Sequence, residues 1–173
     1  MSQPRFGRMI PAMVTPFDEN RELDLDKAQA LAARLVDGGS DSLIINGTTG
    51  ESPTVFYPQK MKLFSAVVEA VAIASPSSPT WRQLHCRYGR LRTRRRSLGR
   101  RGFMCVVPYY NKPPQEGIYQ HFRAIAGSVE LPIILYNIPG RCVVNMEAET
   151  TLRLANEFDN VVAVKEASAE WTR

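Results

Sequence analysis

Val161-Val162-Ala163-Val164-Lys165-Glu166 is an apolar run of strand length closed by a lysine and a glutamate. Its valines occupy odd and even positions alike, so the run has no polar face; that suits a strand buried on both sides in a parallel sheet. Lys165 then stands at the carboxyl end of the strand. Such a lysine ordinarily snorkels its ammonium into water along a flexible stem. Inside a closed site of low dielectric the same amine loses part of its charge and can attack a carbonyl.

Outward from this run the pattern repeats. Apolar segments rich in β-branched residues predict strands at 8–14, 42–45, 103–107, 132–136 and 161–165. Segments of helical period predict helices at 24–37, 58–72, 115–128 and 147–157. The first helix has Asp24 and Asp26 at its positive end, stops at Gly38-Gly39, and aligns Leu25, Ala28, Leu31, Ala32, Leu35 and Val36 in one stripe. Alternating strands and helices imply a parallel α/β architecture, either a barrel or an open doubly wound sheet.

The 173 residues, 44% hydrophobic, suit one soluble domain. Cys86, Cys105 and Cys142 are odd in number and lack metal or redox spacing, which points to a reducing cytosol rather than a disulfide framework or a zinc site. His85 and His121 have no second ligand at metal spacing. Residues 9–14 are too short and proline-interrupted for a secretory segment, and no apolar run reaches membrane-spanning length.

The net charge of +5 is local, because Arg82, Arg87, Arg90, Arg92, Arg94, Arg95, Arg96, Arg100 and Arg101 fall in one short stretch. Without them the chain is mildly acidic. From 75 to 101 the βα rhythm is lost, and no Asp or Glu stands between Glu69 and Glu116. A nucleic-acid-binding arm, with Trp81 or Tyr88 stacking on bases, a disordered insertion and a stretch read in the wrong frame all fit this composition. The stretch fills the slot of a third βα unit and the rhythm resumes at Gly102-Phe103-Met104, so the frame error is preferred.

In parallel βα proteins chemistry gathers at the carboxyl ends of the strands. Four such ends are equipped here: Asn46-Gly47-Thr48-Thr49-Gly50-Glu51, Pro108-Tyr109-Tyr110-Asn111, Tyr136-Asn137-Ile138-Pro139-Gly140-Arg141, and Lys165 itself. Taken singly, each is an ordinary turn, a core aromatic or a surface charge. Together they put an amine, phenols, hydroxyls and a guanidinium on one rim, as Schiff-base chemistry on a keto acid requires.

These segments, with Lys112-Pro113 and Ala167-Ser168, resemble the ordered motifs of the dihydrodipicolinate synthase family. That family lies within the pyruvate-dependent class I aldolases, which include N-acetylneuraminate lyase. The resemblance covers residues 7–74 and 102–168. It implies an eight-unit (β/α)8 TIM barrel, of which this chain holds about six units as a single partial domain over 1–173. The third unit is then expected to be scrambled at 75–101, and the family's C-terminal helical region is not expected within these 173 residues. A barrel alone takes about 250 residues, so this polypeptide is expected not to close one and to expose sheet edges. Ala169-Glu170-Trp171 also departs from the family's usual glycine after Ala-Ser.

The resemblance further implies a lyase that condenses pyruvate with aspartate semialdehyde to 4-hydroxy-tetrahydrodipicolinate, on the route to diaminopimelate and lysine. Lys165 would form the imine and Tyr136 would relay protons with Thr48 and with Tyr110 of a neighbouring subunit. Thr49 would hold the pyruvate carboxylate and Arg141 the carboxylate of the aldehyde. No cofactor is implied beyond the covalent imine, and no metal. The family suggests a cytoplasmic homotetramer without membrane or nucleic-acid partners. A related aldolase acting on sugar acids, and a non-enzymatic fragment with a nucleic-acid-binding arginine segment, are the alternatives.

Overall fold

Asp24 caps the first helix, accepting a 2.9 Å hydrogen bond from the Lys27 amide, so α1 runs over Leu25–Asp37. At its far end the Gly38 amide returns to Arg34 O, and Gly39 takes φ +95°, a conformation glycine adopts without a Cβ penalty. The computed structural model describes residues 6–74 and 102–169, which fall into two compact units along the same division.

In the first unit α1 packs on α2 (Tyr57–Ala74). Ala28, Ala32 and Val36 are buried there, as are Leu63, Phe64, Val67 and Val71 of α2. Leu25, Leu31 and Leu35, which share the predicted stripe, are only partly covered. Gln29 Nε2 donates to the Ala66 carbonyl at 3.0 Å, pinning the helices together. A cleft of about 480 Å³ on these helices is lined by Gln29, Met61 and Glu69 among others and contains none of the predicted site residues.

The expected strands at 8–14 and 42–45 contract to one parallel bridge, Ala12 with Ile44. Met13 N donates to Ile44 O and Ile44 N donates to Pro11 O, both at 2.9 Å. The next rung would need an N–H on Pro11, which proline lacks.

The second unit realises the βαβαβ pattern. Its parallel sheet has the order β1 (Phe103–Val106), β2 (Ile133–Asn137), β3 (Val161–Glu166). Every residue of β2 is buried, as suits the central strand of a parallel sheet. By contrast β3, expected to be buried on both faces, buries only Val161 and leaves Val164 44% exposed, because among the described residues it pairs with β2 alone. Helix α3 (Gln115–Ala126) follows β1 and buries Ile118, Phe122 and Ile125 at helical spacing. A short helix the sequence did not announce, α4 (Pro139–Cys142), follows β2, and α5 (Ala148–Glu157) precedes β3 and buries Leu154. Gln115 joins α3 to the start of α5: its Nε2 donates to Asn145 O at 2.7 Å, and its Oε1 accepts from Thr150 Oγ1 at 2.7 Å and Glu147 N at 3.1 Å. The pairing of β2 with β3 shifts by one residue between Ile133 and Ile134.

The anomalous 75–101 stretch, with Trp81, His85, Cys86 and Tyr88, lies outside the described residues, as do Glu170 and Trp171. Among the described residues no helix is long and apolar enough to cross a membrane, and no group of three or more His, Cys, Asp or Glu could hold a metal.

Candidate active site

The one-residue shift between β2 and β3 decides what faces what. Ile133 pairs with Val161 but Ile134 pairs with Ala163, so Tyr136 stands opposite Lys165 and Asn137 opposite Glu166. An unbroken register would have put Val164 beside Tyr136. Lys165 Nζ lies over the Tyr136 ring, 4.5 Å from its centroid.

Burial acts on both groups. It pushes the half-buried Lys165 amine below its ordinary value, since no described carboxylate offsets the lost hydration. It pushes the buried Tyr136 phenol above its ordinary value; the neighbouring Cys142 acts the same way and the Arg141 guanidinium opposes them. The pair therefore unites an amine biased toward its nucleophilic form with a phenol that keeps its proton, the two states needed to form and dehydrate a carbinolamine.

Arg141 sits exposed in α4, five residues beyond Tyr136, and its charge reaches that phenol. Tyr110 follows β1 on the loop after the buried Val107 and Pro108, and is 94% exposed. Asn137 and Glu166, which sequence reasoning passed over, form the best-connected polar group at these strand ends. The visible signal was their adjacency to Tyr136 and Lys165 in the same motifs.

Thr48 and Thr49 belong to the first unit, where both are exposed on the tip of a tight turn. Gly47 O accepts from Gly50 N at 3.0 Å and from Ser52 N at 3.2 Å, while Thr48 O accepts from Glu51 N at 3.1 Å. Thr15 Oγ1 donates to Gly50 O at 2.6 Å and anchors the turn from below. Beside it Asn46 is fully buried at φ +57°, and neither amide atom has a partner among the described residues.

A strand-end amine paired with a phenol, and a hydroxyl-bearing turn, are features that comparison with known proteins can test. The family model for the dihydrodipicolinate synthetase family matches residues 5–77 and 88–173, nearly the whole chain. The chain belongs to the dihydrodipicolinate synthetase family. A relative described as 4-hydroxy-tetrahydrodipicolinate synthase from Moorella thermoacetica is 53% identical over 167 residues, 96% of this chain and 57% of its own length. Among solved structures, dihydrodipicolinate synthase from Thermotoga maritima superposes with a TM-score of 0.86 at 36% identity, over 96% of this chain and 57% of that one. The enzyme from Cyanidioschyzon merolae, solved with lysine bound, gives 0.82 at 43% identity, over 95% and 57%.

The chain thus spans 57% of the length of these relatives. Membership also decides between the two parallel architectures left open by the strand pattern: the fold is of the TIM-barrel type, carried here in part. The family pattern resumes at residue 88 and so runs further into the arginine-rich stretch than the motifs indicate.

Proposed function

We propose that this chain carries the imine-forming centre of a lyase that joins pyruvate to aspartate semialdehyde, giving 4-hydroxy-tetrahydrodipicolinate for diaminopimelate and lysine synthesis. The observation that carries this reading is Lys165 Nζ lying 4.5 Å from the Tyr136 ring centroid at adjoining strand ends, with its charge disfavoured by burial. Relatives that bear the synthase name support the choice of aldehyde over a sugar acid.

Neutral Lys165 attacks the keto carbon of pyruvate, and the carbinolamine loses water to leave a protonated imine. Tyr136 carries the protons in both steps. The imine then withdraws electrons from the methyl carbon, which gives up a proton and becomes an enamine. That carbon bonds to the aldehyde carbon, and the semialdehyde's own amine displaces Lys165 as the ring closes. Thr49 holds the pyruvate carboxylate, Thr48 joins the proton relay, and Arg141 receives the second carboxylate through its planar fork. Tyr110, almost wholly exposed, serves the relay of a neighbouring copy in a cytoplasmic homo-oligomer, a tetramer by family resemblance. The covalent imine replaces any cofactor.

Borohydride added with pyruvate should fix a reduced pyruvyl adduct on Lys165, located by peptide mass spectrometry and lost in Lys165→Ala. The trapping rate should rise with pH and level off below the pH at which an ordinary lysine amine deprotonates. An adduct that is absent, or spread over the other lysines, would defeat the reading.

A further inference from the structure

Successive side chains of a strand point to opposite faces, so Asn137 and Glu166 occupy the side of the sheet away from Tyr136 and Lys165. There Asn137 is fully buried and its amide is saturated. Its Nδ2 donates to Asn145 Oδ1 at 2.9 Å and to the Glu166 carboxylate at 3.0 and 3.2 Å, with a marginal approach to Met146 O at 3.5 Å. Its Oδ1 accepts from Met146 N at 3.0 Å. Glu166 Oε1 also accepts from Ser168 N at 3.0 Å, and the ladder continues one step further through Ala167 N to Asn137 O at 2.9 Å.

We infer that Asn137 and Glu166 are positioning residues, a register lock that holds Lys165 opposite Tyr136. The inference rests on the imine-forming reading of those two side chains. The sheet needs such a lock because the pairing of β2 with β3 is irregular at its start, between Ile133 and Ile134. Backbone rungs alone are the same in either register. A slip of one residue would carry Lys165 away from the phenol and bring Val164 to it. The Asn137–Glu166 bond forms in one register only, and through Asn145 and Met146 it joins that register to the segment that follows Arg141. Near-attack geometry is sensitive to displacements of about 1 Å, so a lock one residue from the amine acts directly on the rate.

The bond has a polarity, and the polarity supplies the test. Asn137→Asp sets two carboxylates against each other, whereas adding Glu166→Gln restores a donor and an acceptor with their roles exchanged. The parent chain, Asn137→Asp and the double variant are compared by pyruvate trapping with borohydride, varying pyruvate concentration, and by amide exchange at Met146 and Ala167. Asn137→Asp should lower the maximal trapping rate at least tenfold, with little change in half-saturating pyruvate, and should speed both exchanges. The double variant should recover the rate to within about threefold and slow both exchanges again.

Two results would overturn the inference: trapping by Asn137→Asp at the parental rate, or no recovery in the double variant while the parent traps normally. If no protein traps pyruvate yet exchange follows the expected pattern, the register lock stands and the imine reading falls instead.

Discussion

Replacing Gly50 by alanine tests whether the turn bearing Thr48 and Thr49 is held by close contact. A Cβ built on Gly50 meets Met13 O at 3.0 Å, Thr15 Oγ1 at 3.0 Å and Asn46 Cα at 3.2 Å. Two of these are backbone atoms and cannot rotate aside. The third makes the 2.6 Å hydrogen bond to Gly50 O, so displacing it breaks the anchor beneath the turn. Forcing a methyl into packed surroundings costs about 1–3 kcal/mol. Losing a buried hydrogen bond adds about 1 kcal/mol. The expected destabilisation is therefore about 2–4 kcal/mol.

Gly140 is the matched control. A Cβ there meets nothing within 4 Å, and the residue lies in α4. Helical alanine is favoured over glycine by about 1 kcal/mol at most, so Gly140→Ala should be neutral or slightly stabilising. Urea unfolding followed by circular dichroism, on the parent and both variants, reads the difference. A Gly50→Ala midpoint within about 0.5 kcal/mol of the parent would refute the reasoning. So would an equal loss in Gly140→Ala, since contact distance would then have no predictive value.

In α5, Leu154→Ala should cost about 2–5 kcal/mol in the same assay, because the side chain is fully buried. Arg153→Ala, one residue earlier, should lower the midpoint far less, since its 2.6 Å ion pair with Glu116 is solvent-exposed at both ends. Asp41 accepts from the amides of Arg8 and Met9 at 2.7 and 2.9 Å, and these bonds, Met9's first, hold its carboxyl below the ordinary carboxylate range. Its stabilising effect is therefore present above the unfolded-state value and is lost as pH falls through the folded-state one. NMR titration should find the Asp41 midpoint depressed, and Asp41→Asn should flatten acid unfolding; an ordinary midpoint would contradict the geometry.

What the sequence discloses follows the range of the forces involved. Capping and hydrophobic patterning are local, so Asp24, the glycines after Asp37 and the apolar runs at 132–136 and 161–165 mark their elements to within a residue or two. The first two strands read equally well as strings of apolar residues. What they lack is a single N–H on Pro11, whose importance appears only when Ser42 and Ile44 lie alongside it. Tyr136 and Lys165 were legible as candidates because each stands near the end of an apolar run that forms a strand.

Their pairing was not legible, because register is a relation between two strands. Sequence places Lys165 at the end of β3 and Tyr136 at the end of β2, yet counting from the first rung, Ile133 with Val161, puts Val164 opposite the phenol. The shift after that rung moves the amine into place, and nothing in Val161-Val162-Ala163 announces it. What fixes the outcome is polar and at the other end of the strands: Asn137 can bond Glu166 only when Tyr136 faces Lys165. The glutamate that closes Val161–Glu166 thus determines where the lysine before it points.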